Sequence, residues 1–401
     1  MRILFIHNYY QQRGGEDAVF EQEVRLLRET GYVVETVEFT NDGFDGSLMG
    51  NLAGAAQSLY NGQSARRVER AIDAFRPDVV HIHNLFYTAS PSVIRAAKSR
   101  GIPVVMTLHN YRLVCAGGML SREAEMPCER CLTKTIPLDG IRYGCFRNSR
   151  VESAQLTAIT SLHKLTGLWQ SVDRFIVLTD FAREKFLQSS LKLRPEQVVV
   201  KPNFLTELGY VDAARREDFF LFVGRLSYEK GIQVLIQSAY LHQLPLEIIG
   251  DGPLRPLVEQ AARELPHVQY RGSLPRQQVM DRMKQCRAIV VPSIWYEGLP
   301  TVILEAFATG TPVLCSNQGN LNTIVTDKQT GLLFETGNAA SIASAMLALT
   351  DEQCIQYAEE GFDVFQHKYK TVTVMEKLGK IYSALTKNAQ PVILRDHAEM
   401  P

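Results

Sequence analysis

The chain has 401 residues, of which 45% are hydrophobic, and this is enough material for two hydrophobic cores rather than one. Lys plus Arg and Asp plus Glu both number 43, so no global electrostatic field favours nucleic acid or an anionic membrane as a partner. No stretch of the sequence approaches the roughly 20 apolar residues that a membrane-spanning helix requires.

The first residues predict a strand rather than a signal peptide. The opening MRILFIHNYYQQRGG has five apolar residues before a histidine, without a basic region, a longer apolar stretch or a small-residue cleavage site. The seven cysteines are an odd number, so they cannot all pair within the chain. We therefore expect a cytoplasmic protein with reduced thiols, either soluble or peripheral on the inner face of the membrane.

In the first half, short β-branched runs alternate with longer amphipathic stretches, which is typical of a parallel sheet with helical crossovers. The strands are predicted near Arg2–Ile6, Val33–Phe39, Asp78–His83, Val104–Leu108, Arg174–Leu178 and Val198–Lys201. After the first strand, Glu16–Thr30 has apolar residues at helical spacing, and Gly31 ends the helix. Gly14 and Gly15 precede this helix and allow the backbone to approach a ligand that a side chain would block.

Three histidines fall at the ends of predicted strands. His81 and His83 lie in VVHIHN, and His109 lies in MTLHN. In doubly wound sheets, ligands bind outside the carboxyl ends of the strands, so these side chains are candidates for a binding site. For each of them the alternative is a histidine with a purely structural role.

Four of the seven cysteines fall in one long stretch that no helix or strand pattern explains. They are Cys115, Cys128, Cys131 and Cys145. The C-x2-C pair and the two single cysteines together offer the four thiolates of a tetrahedral, structural zinc site. The alternative is that the four reduced thiols pack as small hydrophobic side chains.

The apolar-rich stretch Val151–Trp169 follows the cysteines and has two interpretations. It has leucine and isoleucine at helical spacing, together with His163 and Lys164. We favour a helix of the hydrophobic core. The alternative is a surface helix that docks on the membrane.

The second half repeats the alternation of strands and helices. Its strands are predicted near Phe219–Val223, Leu246–Ile249, Val268–Arg271, Ala288–Val291, Val313–Cys315 and Leu332–Phe334. The non-periodic stretch Pro202–Glu217 is the predicted hinge. Helical patterns follow at Asp351–Phe362 and Val372–Leu385, and the tail from Lys387 is expected to be disordered.

These elements predict an α/β fold with two Rossmann-like, doubly wound domains that face each other across a cleft. The N-terminal domain spans residues 1–205 and the C-terminal domain residues 206–370. Residues 371–401 form a helix and a tail, and we expect the helix to pack back toward the N-terminal domain.

The segment FVGRLSYEKG places Arg225 and Lys230 directly after a predicted strand. Two cations at the carboxyl end of a strand are suited to a diphosphate, because a diphosphate leaving group gathers negative charge as its bond to a sugar breaks. The alternative is solvated surface charge, the commoner state of these residues.

The segment SIWYEGLPTVILEAFATGTPV contains two carboxylates around a predicted helix start. The N–H groups of this start are suited to a phosphate oxygen, and its residues are Gly298, Leu299, Pro300 and Thr301. Glu297 lies beside them and could accept hydrogen bonds from sugar hydroxyls. Glu305 lies among apolar residues of the helix, so we expect it to be buried and to need partners such as ribose hydroxyls.

The order of these motifs resembles that of the retaining family-four glycosyltransferases (glycosyltransferases group 1) of the GT-B fold. The likeness covers most of the chain: a glycine loop after the first strand, FVGRLSYEKG, IIGDGPL, the E-x7-E motif, GTPV and TGLLF. It implies that Glu297 faces the donor sugar, that Glu305 holds the ribose, and that Arg225 and Lys230 bind the pyrophosphate.

The same resemblance places Gly15 against the sugar phosphate and His109 against the donor sugar, with His83 as an acceptor-side candidate. It also places the base against IIGDGPL and the segment Tyr270–Leu274. The match departs after Cys315, where the family often has a glycine pair and an acid. This chain has Asn317, Gly319, Asn320 and Thr323 there.

The resemblance implies retaining transfer of a sugar from a nucleotide-diphosphate sugar to a sugar or lipid-linked acceptor in cell-surface polysaccharide synthesis. The acceptor hydroxyl would attack the face from which the diphosphate departs, and no metal or other cofactor would be required. The alternatives are a sugar phosphorylase, a nucleotide-sugar epimerase and a non-catalytic subunit that binds a sugar nucleotide.

Overall fold

The structure, a computed structural model, describes residues 1–9, 14–40, 59–85, 88–122 and 127–386. The chain divides into two compact units, with Phe204–Thr373 in the second. The first contains Met1–Arg122, Cys128–Asn203 and the residues from Val374 onward. The tail from Lys387 to Pro401, expected to be disordered, lies outside the described residues.

The first unit is built on a six-stranded parallel sheet. Its strands β1 to β6 are Arg2–Asn8, Val33–Phe39, Val79–Ile82, Val104–Leu108, Arg174–Val177 and Val198–Val200. Their order is β2-β1-β3-β4-β5-β6, and Ile3 of β1 pairs with Val34 on one side and Val79 on the other. Because all neighbours are parallel, the carboxyl ends of these strands meet at one edge.

The helices of the first unit begin and end at residues set by local signals. They are α1 (Gly15–Glu29), α2 (Gly62–Phe75), α3 (Ser92–Lys98), α4 (Leu138–Arg142), α5 (Arg150–Leu165) and α6 (Asp180–Leu187). In α1 the Asp17 carboxylate accepts the N–H of Gly14 at 2.9 Å and caps the helix. The same helix buries Phe20, Val24 and Leu27.

The second unit has its own six-stranded parallel sheet. Its strands β7 to β12 are Phe220–Val223, Leu246–Ile249, Val268–Gly272, Ala288–Val291, Val313–Ser316 and Gly331–Phe334. Their order is β12-β11-β10-β7-β8-β9, with every pair parallel. The core contains Phe220, Leu235, Ile248, Val290 and Leu314. The predicted α/β class with two doubly wound sheets is therefore confirmed.

The helices of the second unit lie between and after these strands. They are α7 (Ile232–Ala239), α8 (Arg255–Glu264), α9 (Arg276–Gln285), α10 (Thr301–Thr309), α11 (Leu321–Ile324), α12 (Ala339–Ala348) and α13 (Asp351–Val364). None of the helices in the described ranges has the length and apolar character needed to cross a membrane.

The last helix, α14 (Thr371–Ser383), follows the second unit in sequence, but its residues from Val374 onward belong to the first. It buries Leu378 and Tyr382. The Tyr382 hydroxyl lies 2.7 Å from Nδ1 of His81, which is on β3. The C-terminal helix therefore completes the core of the first unit.

Candidate functional site

The two cations of FVGRLSYEKG differ in their surroundings. The Lys230 ammonium donates to both carboxylate oxygens of Glu297, at 2.7 and 2.9 Å, and lies 5.5 Å from the centre of the Trp295 ring. Arg225 is exposed, and it forms no ion pair with any residue in the described ranges. Lys230 is thus held by a fixed carboxylate, while the Arg225 guanidinium is available to an anion.

Gly231 brings Lys230 to this carboxylate. It has a φ of 71°, and a Cβ atom there would collide with the carbonyl oxygen of Pro292. Only glycine fits this close approach. The turn that carries Lys230 therefore packs directly on the segment that leads from β10 to Glu297.

The carboxylate of Glu297 is buried, with only 5% of the residue exposed. Besides Lys230, it accepts a hydrogen bond of 2.6 Å from the hydroxyl of Ser293. A buried charge with two partners is held in one orientation. Glu297 is therefore part of a built site and not a surface loop acid.

Asn320 and Gln318 hold the loop around Glu297 from the neighbouring strand connection. The amide of Asn320, fully buried, donates to the carbonyl oxygens of Glu297 and, at 2.6 Å, of Gly298. The amide of Gln318 donates to the carbonyl oxygen of Trp295 at 3.0 Å. Asn320 stands where the sequence departs from the family pattern, and sequence reasoning did not assign it this role.

Helix α10 starts directly after this loop. Pro300 is its N-cap, Thr301 is exposed at its first position, and Leu299 is buried. The start of the helix therefore leaves backbone N–H groups at an accessible position beside Glu297.

Glu305 is buried on α10, as its apolar neighbours predict. Among the residues that the structure describes, its ion-pair partner is the exposed Arg276, at 3.0 Å. Burial raises the pKa of Glu305, although Arg276 acts in the opposite direction. A buried carboxylate with a single, exposed partner has capacity to accept hydrogen bonds from ligand hydroxyls.

The loop after β8, which carries GDGPL, packs closely on the loop after β7. Gly250 has a φ of 145°, and a Cβ atom there would collide with the carbonyl oxygen of Gly224. The Tyr270 hydroxyl donates to the carbonyl oxygen of Gly250 at 3.0 Å. The structure thus joins the loops that the resemblance assigns to the nucleotide base and the pyrophosphate.

In the first unit, His83 and His109 lie side by side after β3 and β4. Nε2 of His109 is 3.3 Å from Nδ1 of His83, and Nε2 of His83 is 3.2 Å from a carboxylate oxygen of Glu23 on α1. Glu23 also forms a fully buried ion pair with Lys201. Burial and the neighbouring His83 hold the pKa of His109 well below its usual range.

Sequence reasoning missed Glu23 and Lys201. One signal was present, since Glu23 lies three residues after Phe20 and four before Leu27, on the apolar face of α1. A glutamate at such a position needs a buried partner.

Gly15 is the first residue of α1 and is exposed, with no atom within 4 Å of the position that a Cβ would occupy. The adjacent Glu16 accepts a hydrogen bond of 2.7 Å from the amide of Asn110, the residue after His109. The glycine loop and the loop after β4 are therefore linked directly.

The four clustered cysteines line one small pocket in the first unit. Burial and the neighbouring Cys115 raise the pKa of the Cys131 thiol to about 12. No three of the four sulfur atoms, all in described residues, lie within 4.8 Å of one another. A zinc ion would therefore require side-chain rotations, and the structural zinc site stays a prediction.

Metal analysis tests this site. Protein purified without an affinity metal column is expected to contain about one zinc per chain, because four thiolates fill one tetrahedral shell. Cys128→Ser with Cys131→Ser should remove the metal and make the loop sensitive to proteolysis, whereas Cys354→Ser, outside the cluster, should retain it. Metal-free wild-type protein whose four thiols titrate freely would exclude the site.

Comparisons with known proteins agree with this architecture. The model described as "Glycosyl transferase 4-like domain" matches residues 14–203, and that described as "Glycosyl transferases group 1" matches residues 211–361. An uncharacterized glycosyltransferase of Methanocaldococcus jannaschii is 25% identical over 72% of this chain and 77% of its own.

Two further proteins are similar over different shares of the chain. The O-antigen chain mannosyltransferase C of Escherichia coli is 26% identical, but the match covers only 43% of this chain and 48% of that protein. The structure of Anabaena Alr3699/HepE in complex with UDP superimposes with a TM-score of 0.65 at 17% identity, over 96% of this chain and 100% of that one. At this identity the structural match shows the fold.

Proposed function

Because the chain belongs to the group 1 glycosyltransferases, we propose that it transfers a sugar from a nucleotide-diphosphate sugar to an acceptor hydroxyl with retention of configuration. The observation that carries this proposal is the pair of Lys230 with the buried carboxylate of Glu297, which lies just before a helix that buries Glu305. Together these groups offer a cation, phosphate-binding N–H groups and two carboxylates for hydroxyls.

Four side chains have proposed roles in binding the donor. The charges of Arg225 and Lys230 are suited to the pyrophosphate, together with the N–H groups at the start of α10. Glu305 accepts the ribose hydroxyls, and Glu297 accepts hydroxyls of the donor sugar. The UDP bound to the Anabaena relative makes a uridine nucleotide the first candidate donor.

In the proposed reaction, the bond between the anomeric carbon and the diphosphate oxygen breaks, and the acceptor oxygen bonds to the same face of that carbon. The proton of the acceptor hydroxyl passes to the departing phosphate. Arg225 and Lys230 stabilise the charge that develops on the leaving group, so no metal ion is needed for that task. The protein otherwise orients the two substrates and excludes water.

A panel of nucleotide sugars tests the proposal. In EDTA, one donor is expected to raise the melting temperature of the protein, because ligand binding to the folded state stabilises it. Transfer of labelled sugar to an acceptor separates this function from an epimerase, which converts the donor alone, and from a binding subunit, which does neither. A phosphorylase would release sugar phosphate.

We also propose that the acceptor is a lipid-linked or oligosaccharide intermediate of cell-surface polysaccharide synthesis. This rests on the family and on relatives such as the O-antigen mannosyltransferase.

A lipid-linked acceptor requires contact with a membrane, and helix α5 offers an exposed apolar surface for it. The helix buries Leu156 and Ile159, so one face belongs to the core as we favoured. The exposed apolar residues of α5 and the preceding segment are Ile136, Leu138, Val151, Leu162 and Leu165.

We expect the protein to float with anionic liposomes and Leu162→Ser with Leu165→Ser to reduce the floating fraction severalfold, because the apolar face would lose its affinity for the lipid boundary. Leu347→Ser is the matched control, since Leu347 is 62% exposed but lies in the second unit. Wild-type protein that does not float and acts on a soluble acceptor would contradict the membrane contact.

A further inference from the structure

We propose that the chain of contacts from Glu23 through His83 to His109 fixes the tautomer of His109 and presents its Nδ1 atom as an acceptor for a sugar hydroxyl. The tautomer concerns the protein alone, and only the hydroxyl as ligand rests on the proposed transferase function. Glu23 and His83 are positioning residues, since they act through His109.

The chain of contacts runs inward from the edge of the first sheet. Nε2 of His109, partly buried, is 3.3 Å from Nδ1 of His83, which is 2% exposed. Nε2 of His83 is 3.2 Å from Oε2 of the fully buried Glu23, and the other oxygen of Glu23 is paired with the ammonium of Lys201. The three side chains thus occupy fixed positions in one row.

The charges of Glu23 and Lys201 decide which nitrogen of His83 carries the proton. Burial alone would raise the pKa of Glu23, but the ammonium of Lys201 holds it well below its usual range, so the carboxylate is ionised and can only accept. Nε2 of His83 must therefore carry its proton. Lys201 already neutralises Glu23, so a second positive charge on His83 would be buried without compensation.

A neutral His83 with its proton on Nε2 has a lone pair on Nδ1. That lone pair accepts the proton of His109 Nε2, which leaves Nδ1 of His109 as the acceptor. Burial lowers the pKa of His109, and this keeps the imidazole neutral. A neutral imidazole with a fixed lone pair can accept a hydrogen bond from a hydroxyl, whereas an imidazolium cannot.

A metal site is the competing interpretation. Glu23, His81 and His83 each offer a ligand atom within 4.8 Å of the others. However, the ammonium of Lys201 lies against Glu23, and the nitrogens of His81 are already bonded to the hydroxyls of Tyr382 and Thr107, at 2.7 and 2.8 Å. A cation placed there would be repelled by Lys201, so the cluster favours the chain of contacts over a metal site.

Nitrogen-15 NMR of histidine-labelled full-length protein tests the chain directly. With the His109 signals identified by their loss in His109→Gln, the wild type should show the Nε2–H tautomer of His109. His83→Phe removes the acceptor and should give a mixture of tautomers. His83→Gln should restore the Nε2–H form, because its carbonyl oxygen can accept from His109 and its amide can donate to Glu23.

Thr107→Val is the matched control, because it breaks a hydrogen bond of His81 in the same buried cluster without touching the chain. It should leave the His109 tautomer unchanged. Once the nucleotide-sugar donor is identified, His83→Phe should also lower kcat/KM by roughly tenfold, the size expected when one hydrogen bond is lost. His83→Gln should recover most of this activity.

A wild-type spectrum with the proton of His109 on Nδ1 would overturn the proposal, as would an unchanged His109 tautomer in folded His83→Phe. The wild-type spectrum alone decides the tautomer if His83→Phe does not fold. Because the tautomer is read without substrate, a failed transferase assay with the expected spectrum would count against the proposed function and not against the chain.

Discussion

Replacement of both Arg225 and Lys230 by alanine is expected to lower kcat/KM for sugar transfer by several orders of magnitude. In the proposed mechanism each substitution removes a charge that stabilises the departing diphosphate, and loss of one such electrostatic donor typically costs about 3 kcal/mol of transition-state stabilisation. The two cations would share one ligand, so the double variant should lose less than the sum. Steady-state kinetics with saturating acceptor and varied donor measures the effect.

The single variants Lys230→Ala and Arg225→Ala distinguish the loss of a charge from a loss of stability. Lys230→Ala leaves the buried Glu297 without its main partner, so part of its effect is structural. Arg225 is exposed, so Arg225→Ala should keep the wild-type melting temperature and still lose activity. Arg263→Ala, at another exposed arginine of the second unit, should behave like the wild type. An Arg225→Ala enzyme with unchanged kinetics would contradict the role in leaving-group stabilisation.

Glu305→Gln is expected to raise the KM for the donor by an order of magnitude or more, with a smaller effect on kcat. The substitution keeps the size of a buried side chain but removes its charge, and hydrogen bonds to charged groups contribute about 1.5–3 kcal/mol. Glu297→Gln should mainly lower kcat, because that carboxylate would act beside the reacting carbon and also orients Lys230.

The contrast between the two carboxylates is the informative result. Glu259→Gln, at a partly exposed position of α8, is the matched control and should leave both constants unchanged. Near wild-type kinetics in both Glu305→Gln and Glu297→Gln would defeat the assignment. A large fall in kcat for Glu305→Gln without a change in KM would assign Glu305, and not Glu297, to the reacting carbon.

The strands could be predicted from sequence because each is a short apolar run between polar or glycine-rich segments. All twelve lie within two residues of their predicted bounds at either end. The parallel arrangement followed from the alternation with helices. Helix α1 was predicted from the spacing of Phe20, Val24 and Leu27, which the structure buries.

The residues of the candidate site in the second unit could be named from sequence because their signals are local. Glu297 and Glu305 lie in one segment, and the apolar neighbours of Glu305 predicted its burial. The contact of Glu297 with Lys230 joins residues 67 positions apart, and no local pattern encodes such a distance. The amide of Asn320 could not be placed either, since its partners are backbone carbonyls of a separate loop.

The buried cluster of the first unit was the least predictable part. Glu23 and Lys201 are 178 positions apart and come from a helix and from the end of β6. Sequence reasoning placed His83 and His109 near a sheet edge, because strands end there. It could not show that His83 contacts both His109 and Glu23, since that depends on the packing of α1 on the sheet.

The most direct test of the central claim is a calorimetric titration of the wild-type protein and Arg225→Ala with UDP, GDP and ADP in EDTA. We predict saturable binding of one nucleoside diphosphate, with one site per chain, and clearly weaker binding by Arg225→Ala. This result would show that protein cations hold the diphosphate without a metal ion. Binding only after magnesium or manganese is added, or equal affinity in the two proteins, would contradict the account.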